Sequence, residues 1–193
     1  MLKNLRYIKH LNFFAFKAKR FFVRALIEKI FGKYSLPIGA DYDVYKASIY
    51  DETRSKVGFW EKEHQSVNNT LKDMKDIQNV LDAPFGTGRF LKLYKKHNLD
   101  VVGIDISAEM IEIANKKYPK LMKNVVTHVD GLIKISYKDS YFDLICCYRF
   151  LSWIINFQDA QKIVVELNRV CRKYALLEFC VGKHLTPSKK IKF

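Results

Sequence analysis

Apolar residues recur along this chain in two rhythms. From residue 77 onward, short runs of Val, Ile, Leu and Phe alternate with longer amphipathic stretches. Ile77 to Leu81, Val101 to Ile106, Val125 to Val129, Phe142 to Tyr148 and Ala175 to Cys180 read as strands. The fourth is continuously apolar, as a strand covered on both faces should be. Between them, Phe90, Leu93 and Tyr94, then Met110, Ile113 and Ala114, then Ala160, Ile163, Val164, Leu167, Val170 and Cys171 fall on single helical faces. Ser107 is placed to N-cap the second of these helices, with Glu109 in its first turn, where the helix dipole favours an acid. This alternation predicts an α/β fold built on a doubly wound, mostly parallel sheet of about five strands with right-handed crossovers. Residues 181–193 are too few for a further helix and strand pair, so the fifth strand is expected to be an edge in need of cover. A second copy or the N-terminal segment would supply it.

The front of the chain has a different texture. Over residues 2–33, Leu5, Ile8, Leu11, Phe16, Val23, Leu26, Ile27 and Ile30 recur at helical spacing, and Phe13, Phe14, Phe21 and Phe22 make the stretch unusually aromatic. A helical N-terminal extension is therefore expected. Ser35-Leu36-Pro37-Ile38-Gly39 breaks it. A polar, tyrosine-rich segment carrying Tyr42, Tyr45, Tyr50 and Arg54 follows, and then a helix with Trp60, His64, Val67, Leu71 and Met74 on one face. The organisation read from this is an amphipathic extension over residues 1–35, a helical cap over 36–76, and the α/β domain over 77–193.

Charge sharpens the reading of the extension. The formal net charge is +14, and residues 1–27 hold Lys3, Arg6, Lys9, Lys17, Lys19, Arg20 and Arg24 with no acid at all. A basic amphipathic helix on an anionic membrane surface fits this pattern. A helix whose apolar face covers the domain or a partner subunit fits it at least as well, and a cleaved organellar presequence is the minor alternative. A nucleic-acid arm is the weaker reading, because phosphate contacts require cations and not a row of phenylalanines. No apolar run approaches the roughly 20 residues of a membrane-spanning helix. Cys146, Cys147, Cys171 and Cys180 form no CxxC pair, so reduced core cysteines and no metal site are expected. A cytoplasmic protein follows, peripheral to the inner membrane face if the extension binds lipid.

The chemistry concentrates where strands end. Asp82 closes the first strand, Gly86 and Gly88 follow in a turn that lets backbone approach a ligand, Asp105 closes the second strand, and Asp130-Gly131 closes the third. In open α/β sheets ligands bind outside the carboxyl ends of the strands, and an acid at the end of strand two is placed to accept from two ribose hydroxyls. The set Leu81-Asp82-Ala83-Pro84-Phe85-Gly86-Thr87-Gly88-Arg89-Phe90, Gly103-Ile104-Asp105-Ile106-Ser107-Ala108-Glu109-Met110, Val129-Asp130-Gly131 and Tyr141-Phe142-Asp143-Leu144-Ile145 resembles the motifs of class I S-adenosylmethionine-dependent methyltransferases, as does Glu166-Leu167-Asn168-Arg169-Val170. The resemblance covers residues 58–180.

That resemblance implies a Rossmann-like domain and S-adenosyl-L-methionine as cofactor. Gly86 and Gly88 would pack against its methionine and ribose parts, with Ala83 and Pro84 in the same loop, Asp82 would orient its ammonium end, and Asp105 would hold its ribose hydroxyls. Ile106 and Met110 would pack near adenine, Asp130 and Gly131 would meet the adenine edge, and Arg54 would face the carboxylate or close a lid. Two departures stand out: Pro84 occupies the place of the family's first glycine, and the family's terminal strand pair has no counterpart. A nicotinamide dehydrogenase is disfavoured because Leu91 stands where its third glycine belongs. The expected activity is methyl transfer to a small-molecule or lipid-like acceptor. A non-catalytic binding relative and an RNA methyltransferase are the alternatives. No catalytic residue is singled out; His64, Tyr50 and Tyr148 are the groups that could serve as a base.

Overall fold

The computed structural model describes residues 6–8, 13–16, 44–55, 60–151 and 157–178. Its elements are β1 (Arg6–Ile8), β2 (Phe13–Phe16), α1 (Val44–Ser55), α2 (Trp60–Asp73), β3 (Asn79–Asp82), α3 (Leu91–Lys96), β4 (Asp100–Asp105), α4 (Ala108–Lys117), α5 (Pro119–Met122), β5 (Val125–Val129), β6 (Phe142–Cys147), α6 (Phe157–Val170) and β7 (Cys171–Glu178). The strands lie in the order β1-β2-β7-β6-β3-β4-β5. From β7 to β5 every pairing is parallel, as the alternation of apolar runs and amphipathic stretches predicts.

All six residues of β6 are buried, because the strand lies between neighbours and is covered on both faces. One face packs Leu81, Ile104, Phe142 and Ile145 against Ala160, Ile163, Val164 and Leu167 of α6. The other packs Val80, Val101 and Leu144 against Val67 and Leu71 of α2 and Leu91 and Tyr94 of α3. Ser107 caps α4 as expected, its Oγ accepting from Met110 N at 3.2 Å. The inner face of α4 is Met110, Ile111 and Ala114; Ile113, expected there, is half-buried.

The crossover from β5 to β6 carries no helix. Arg169 of α6 holds it in shape, donating to the Ile135 and Tyr137 carbonyls at 2.8 Å each, while Glu166 accepts from Ile135 N at 2.7 Å. Near the start of β6 the buried Asp143 accepts from Gln78 N at 2.9 Å and Arg172 Nε at 2.8 Å, tying β3, β6 and β7 together. Burial alone would raise its pKa. The bonds from Gln78, Arg172 and Lys173 outweigh that and hold it below the ordinary carboxylate value.

Two expectations are corrected. Within the stretch expected to be a helical extension, residues 6–8 and 13–16 are strands: β1 pairs antiparallel with β2, and β2 pairs antiparallel with β7 (Phe14 opposite Leu177). Aromatic and β-branched residues suit a pleated surface, and the exposed edge of β7 supplied the partner. The edge expected to need cover is thus covered by the front of the chain. The rest of residues 2–33 lies outside the described residues. The final strand also starts earlier than expected, at Cys171 and not Ala175, because Phe142 of β6 already pairs with Cys171.

Candidate functional site

Strand order reverses between β3 and β6, so the crevice outside the carboxyl ends of these two strands is the place this topology offers a ligand. A series of backbone bonds joins the strand ends there. Ala83 N donates to Cys146 O at 2.9 Å, Phe85 N to Ile104 O at 2.8 Å, and Asp130 N to Asp105 O at 3.0 Å. The loop after β3 therefore turns over β4, with Gly86 at φ +54° and Gly88 at φ +68°, both in the left-handed region that favours glycine. The Ala83–Pro84 peptide is cis.

The structure brings Asp105 to this loop. Its carboxylate accepts from Gly86 N at 2.7 Å and from Ser107 N at 2.9 Å. An ionised carboxylate has about four lone-pair sites, so acceptor capacity remains for a ligand hydroxyl beyond these backbone donors. Burial raises the Asp105 pKa, with the backbone bonds from Ser107, Gly86 and Ile106 opposing. Asp82 is 2% exposed at the end of β3, and the loss of water raises its pKa well above the ordinary value. A buried group that resists ionisation at a strand end is a common feature of functional sites.

The remaining expected positions divide. A Cβ at Gly86 or Gly131 would meet nothing within 4 Å, so open space faces both. A Cβ at Gly88 would press on Ala114 and Phe85 at 3.3 Å, so that glycine serves helix packing as well as the turn. Ile106 is 81% exposed directly beyond Asp105, an apolar side chain with its face uncovered. Met110 is buried at 3% within α4's inner face. Ala83 is buried and Pro84 half-buried. Asp130 is exposed, its Oδ1 accepting from Gly131 N at 2.7 Å. The side chain of Arg54 lies outside the described residues. Open space at Gly86, the uncommitted acceptor capacity of Asp105 and the uncovered face of Ile106 fit a nucleoside-bearing cofactor such as S-adenosylmethionine.

Sequence reading missed the other wall. Glu63 of α2, 3% exposed, accepts from Arg89 Nη2 at 2.5 Å and from Arg149 Nη2 at 2.8 Å. Arg149, in the left-handed region at φ +52°, also donates its backbone N–H to Glu178 at 2.6 Å. Arg89 stacks over Trp60, 3.9 Å from the ring centroid. This network ties the glycine loop, the loop after β6, α2 and the end of β7 together. Of the groups that could act as a base, His64 lies between Trp60 and Phe90, at ring distances of 5.8 and 5.1 Å. Burial, then the Arg89 charge, lowers its pKa and favours neutral imidazole. Burial raises the Tyr148 pKa, which keeps its phenol protonated. Tyr50 sits on α1, half-buried.

Sheet order, glycine loop and strand-end acids define the class I methyltransferase fold. Residues 81–179 match the methyltransferase-domain family, and the chain belongs to it. It is 31% identical over 96 residues to a phosphatidylethanolamine N-methyltransferase of Cereibacter sphaeroides, covering 49% of this chain and 45% of that protein. It is 28% identical over 148 residues to a dTDP-4-amino-2,3,4,6-tetradeoxy-D-glucose N,N-dimethyltransferase of Saccharopolyspora spinosa, covering 76% of this chain and 52% of that one. The chain thus spans about half the length of these relatives. Among solved structures it resembles a SAM-dependent methyltransferase from Aquifex aeolicus, with a TM-score of 0.53 at 25% identity, covering 70% of this chain and 71% of that one. Among the described residues no helix is long and apolar enough to cross a membrane.

Proposed function

We propose that this protein is an S-adenosylmethionine-dependent methyltransferase acting on an amine nitrogen of a small-molecule or lipid-like acceptor. The observation that carries the cofactor assignment is Asp105, which shapes the glycine loop through Gly86 and keeps acceptor capacity toward the open space there. The bound cofactor supplies an electrophilic methyl on a sulfonium; the protein's task is to align a nucleophile with it and exclude water. Asp82, Gly86, Asp105 and Ile106 are the residues we assign to holding it, with Asp130 and Gly131 at the purine end. Neutral His64 suits an acceptor that must lose a proton. The amine is suggested by the two relatives, whose names both specify N-methylation.

The test has two arms. Calorimetry with S-adenosylhomocysteine should show saturable binding to the full chain. Incubation with S-adenosylmethionine carrying a labelled methyl should then label phosphatidylethanolamine vesicles or a nucleotide-linked amino sugar. Cofactor binding with no transfer to any amine would overturn the acceptor class, and absence of binding would overturn the cofactor.

A further inference from the structure

The glycine loop is gripped from a second side, by a helix none of the motifs includes. Thr87, between the two left-handed glycines and 1% exposed, donates its hydroxyl to Asp51 Oδ1 of α1 at 2.7 Å. The other oxygen of the same carboxylate pairs with Lys117 in the last turn of α4. Asp51 therefore fastens helix α1 to the glycine loop through one oxygen and to α4 through the other. Burial works against the Lys117 ammonium, yet its bonds to Asp51 and Tyr118 prevail and raise its pKa, so the ammonium stays charged.

We propose that Asp51 is a positioning residue for the cofactor. It fastens α1 onto the glycine loop as one wall of the cradle, so cofactor affinity depends on it although it does not touch the cofactor. The inference rests on the cofactor reading above. A loop held by Asp105 from within and Asp51 from without arrives at the ligand already shaped, and a ligand that need not order its own site binds more tightly. Without Asp51, part of the binding free energy would go into ordering α1 and Thr87.

The experiment titrates the full-length chain with S-adenosylhomocysteine by calorimetry and records thermal unfolding without ligand. Asp51→Ala and Thr87→Val should each weaken binding about ten-fold, the scale of one charge-assisted hydrogen bond. The double variant should be no weaker than the weaker single, because both remove the same contact. Thr87→Ser, which keeps the hydroxyl, should bind as the parent does, and Asp51→Asn, which keeps an acceptor for Thr87 and the shape of the side chain, should fall between. Binding by Asp51→Ala within two-fold of the parent, or losses that add in the double variant, would overturn the inference and leave the cofactor reading standing. So would affinity losses that merely track losses in unfolding temperature across the set, Thr87→Ser included. Failure of the parent to bind S-adenosylhomocysteine would overturn the cofactor reading and this inference together.

Discussion

Replacing Asp105 separates the loop-shaping and ligand-binding parts of one carboxylate. Its two oxygens receive Gly86 N at 2.7 Å and Ser107 N at 2.9 Å. Each such charge-assisted bond is worth about 1.5–3 kcal/mol. Asp105→Ala leaves these N–H groups without that partner but also removes a buried charge whose desolvation is the leading cause of its raised pKa. The two effects offset, so the expected stability loss is modest, about 1–2 kcal/mol, or a fall in Tm of roughly 2–8 °C for a chain this long. Cofactor affinity has no such offset. Loss of the acceptors for the ribose hydroxyls, together with a loosened Gly86, should weaken S-adenosylmethionine binding about 10- to 100-fold. Asp105→Asn discriminates further. An amide offers one oxygen and one NH2, so one of the two backbone donors would face another donor, and recovery should be no more than partial. Calorimetry with S-adenosylmethionine and scanning calorimetry of the unliganded protein read the two quantities independently. A folded Asp105→Ala with parental affinity, or an Asn variant indistinguishable from the parent, would refute the assignment.

Three further outcomes are expected. Glu63→Ala leaves the half-buried Arg89 and Arg149 without their shared anion, which should cost about 3–5 kcal/mol and lower Tm by roughly 6–20 °C; a loss below about 1 kcal/mol in denaturant titration would count against the network. Burial raises the Asp82 pKa, so its contribution to stability is fully present below the unfolded-state pKa and is lost as pH rises through the folded value. Asp82→Asn should therefore be the more stable protein at neutral pH and lose its advantage in acid, as scanning calorimetry of the pair across pH would show, while binding cofactor less well. A Cβ at Gly103 would lie 2.6 Å from the Phe85 ring, so Gly103→Ala should displace Phe85 and destabilise by about 1–3 kcal/mol, with weaker cofactor binding in the same titration.

The parallel core was legible because its rules are local. Each strand is a short apolar run, each helix repeats at 3.6 residues, and Ser107 carries its capping role in its own side chain. The strand-end acids were legible for the same reason, since parallel strands deliver their carboxyl ends to one edge. What escaped depends on residues far apart in the chain. Arg6-Tyr7-Ile8 and Phe13-Phe14-Ala15-Phe16 are too short for a helical period to be told from a strand's, and the partner that decides the matter, β7, lies at the far end of the domain. Cys171 extends the helical stripe of α6 in sequence, yet pairing with Phe142 makes it a strand residue. Glu63 reads as one acid on a polar helix; its partners stand 26 and 86 residues away, with no spacing rule to connect them. Asp51 reads the same way until Thr87, 36 residues on, is found against it.

The cluster of Glu63, Arg89, Arg149 and Glu178 also constrains how this sequence can drift. The four side chains come from four separate segments, but three of them meet at one carboxylate and the fourth accepts from the backbone of Arg149. A substitution at Glu63 strands two cations at once, and a substitution at either arginine unbalances the other. No single step out of this arrangement is neutral, so related sequences should keep the two arginines and Glu63 together or replace them together, commonly by an apolar set of similar volume. The glycine loop and the loop after β6 would then be inherited as a linked pair. An alignment in which Glu63 varies freely while both arginines persist would show that this linkage does not hold.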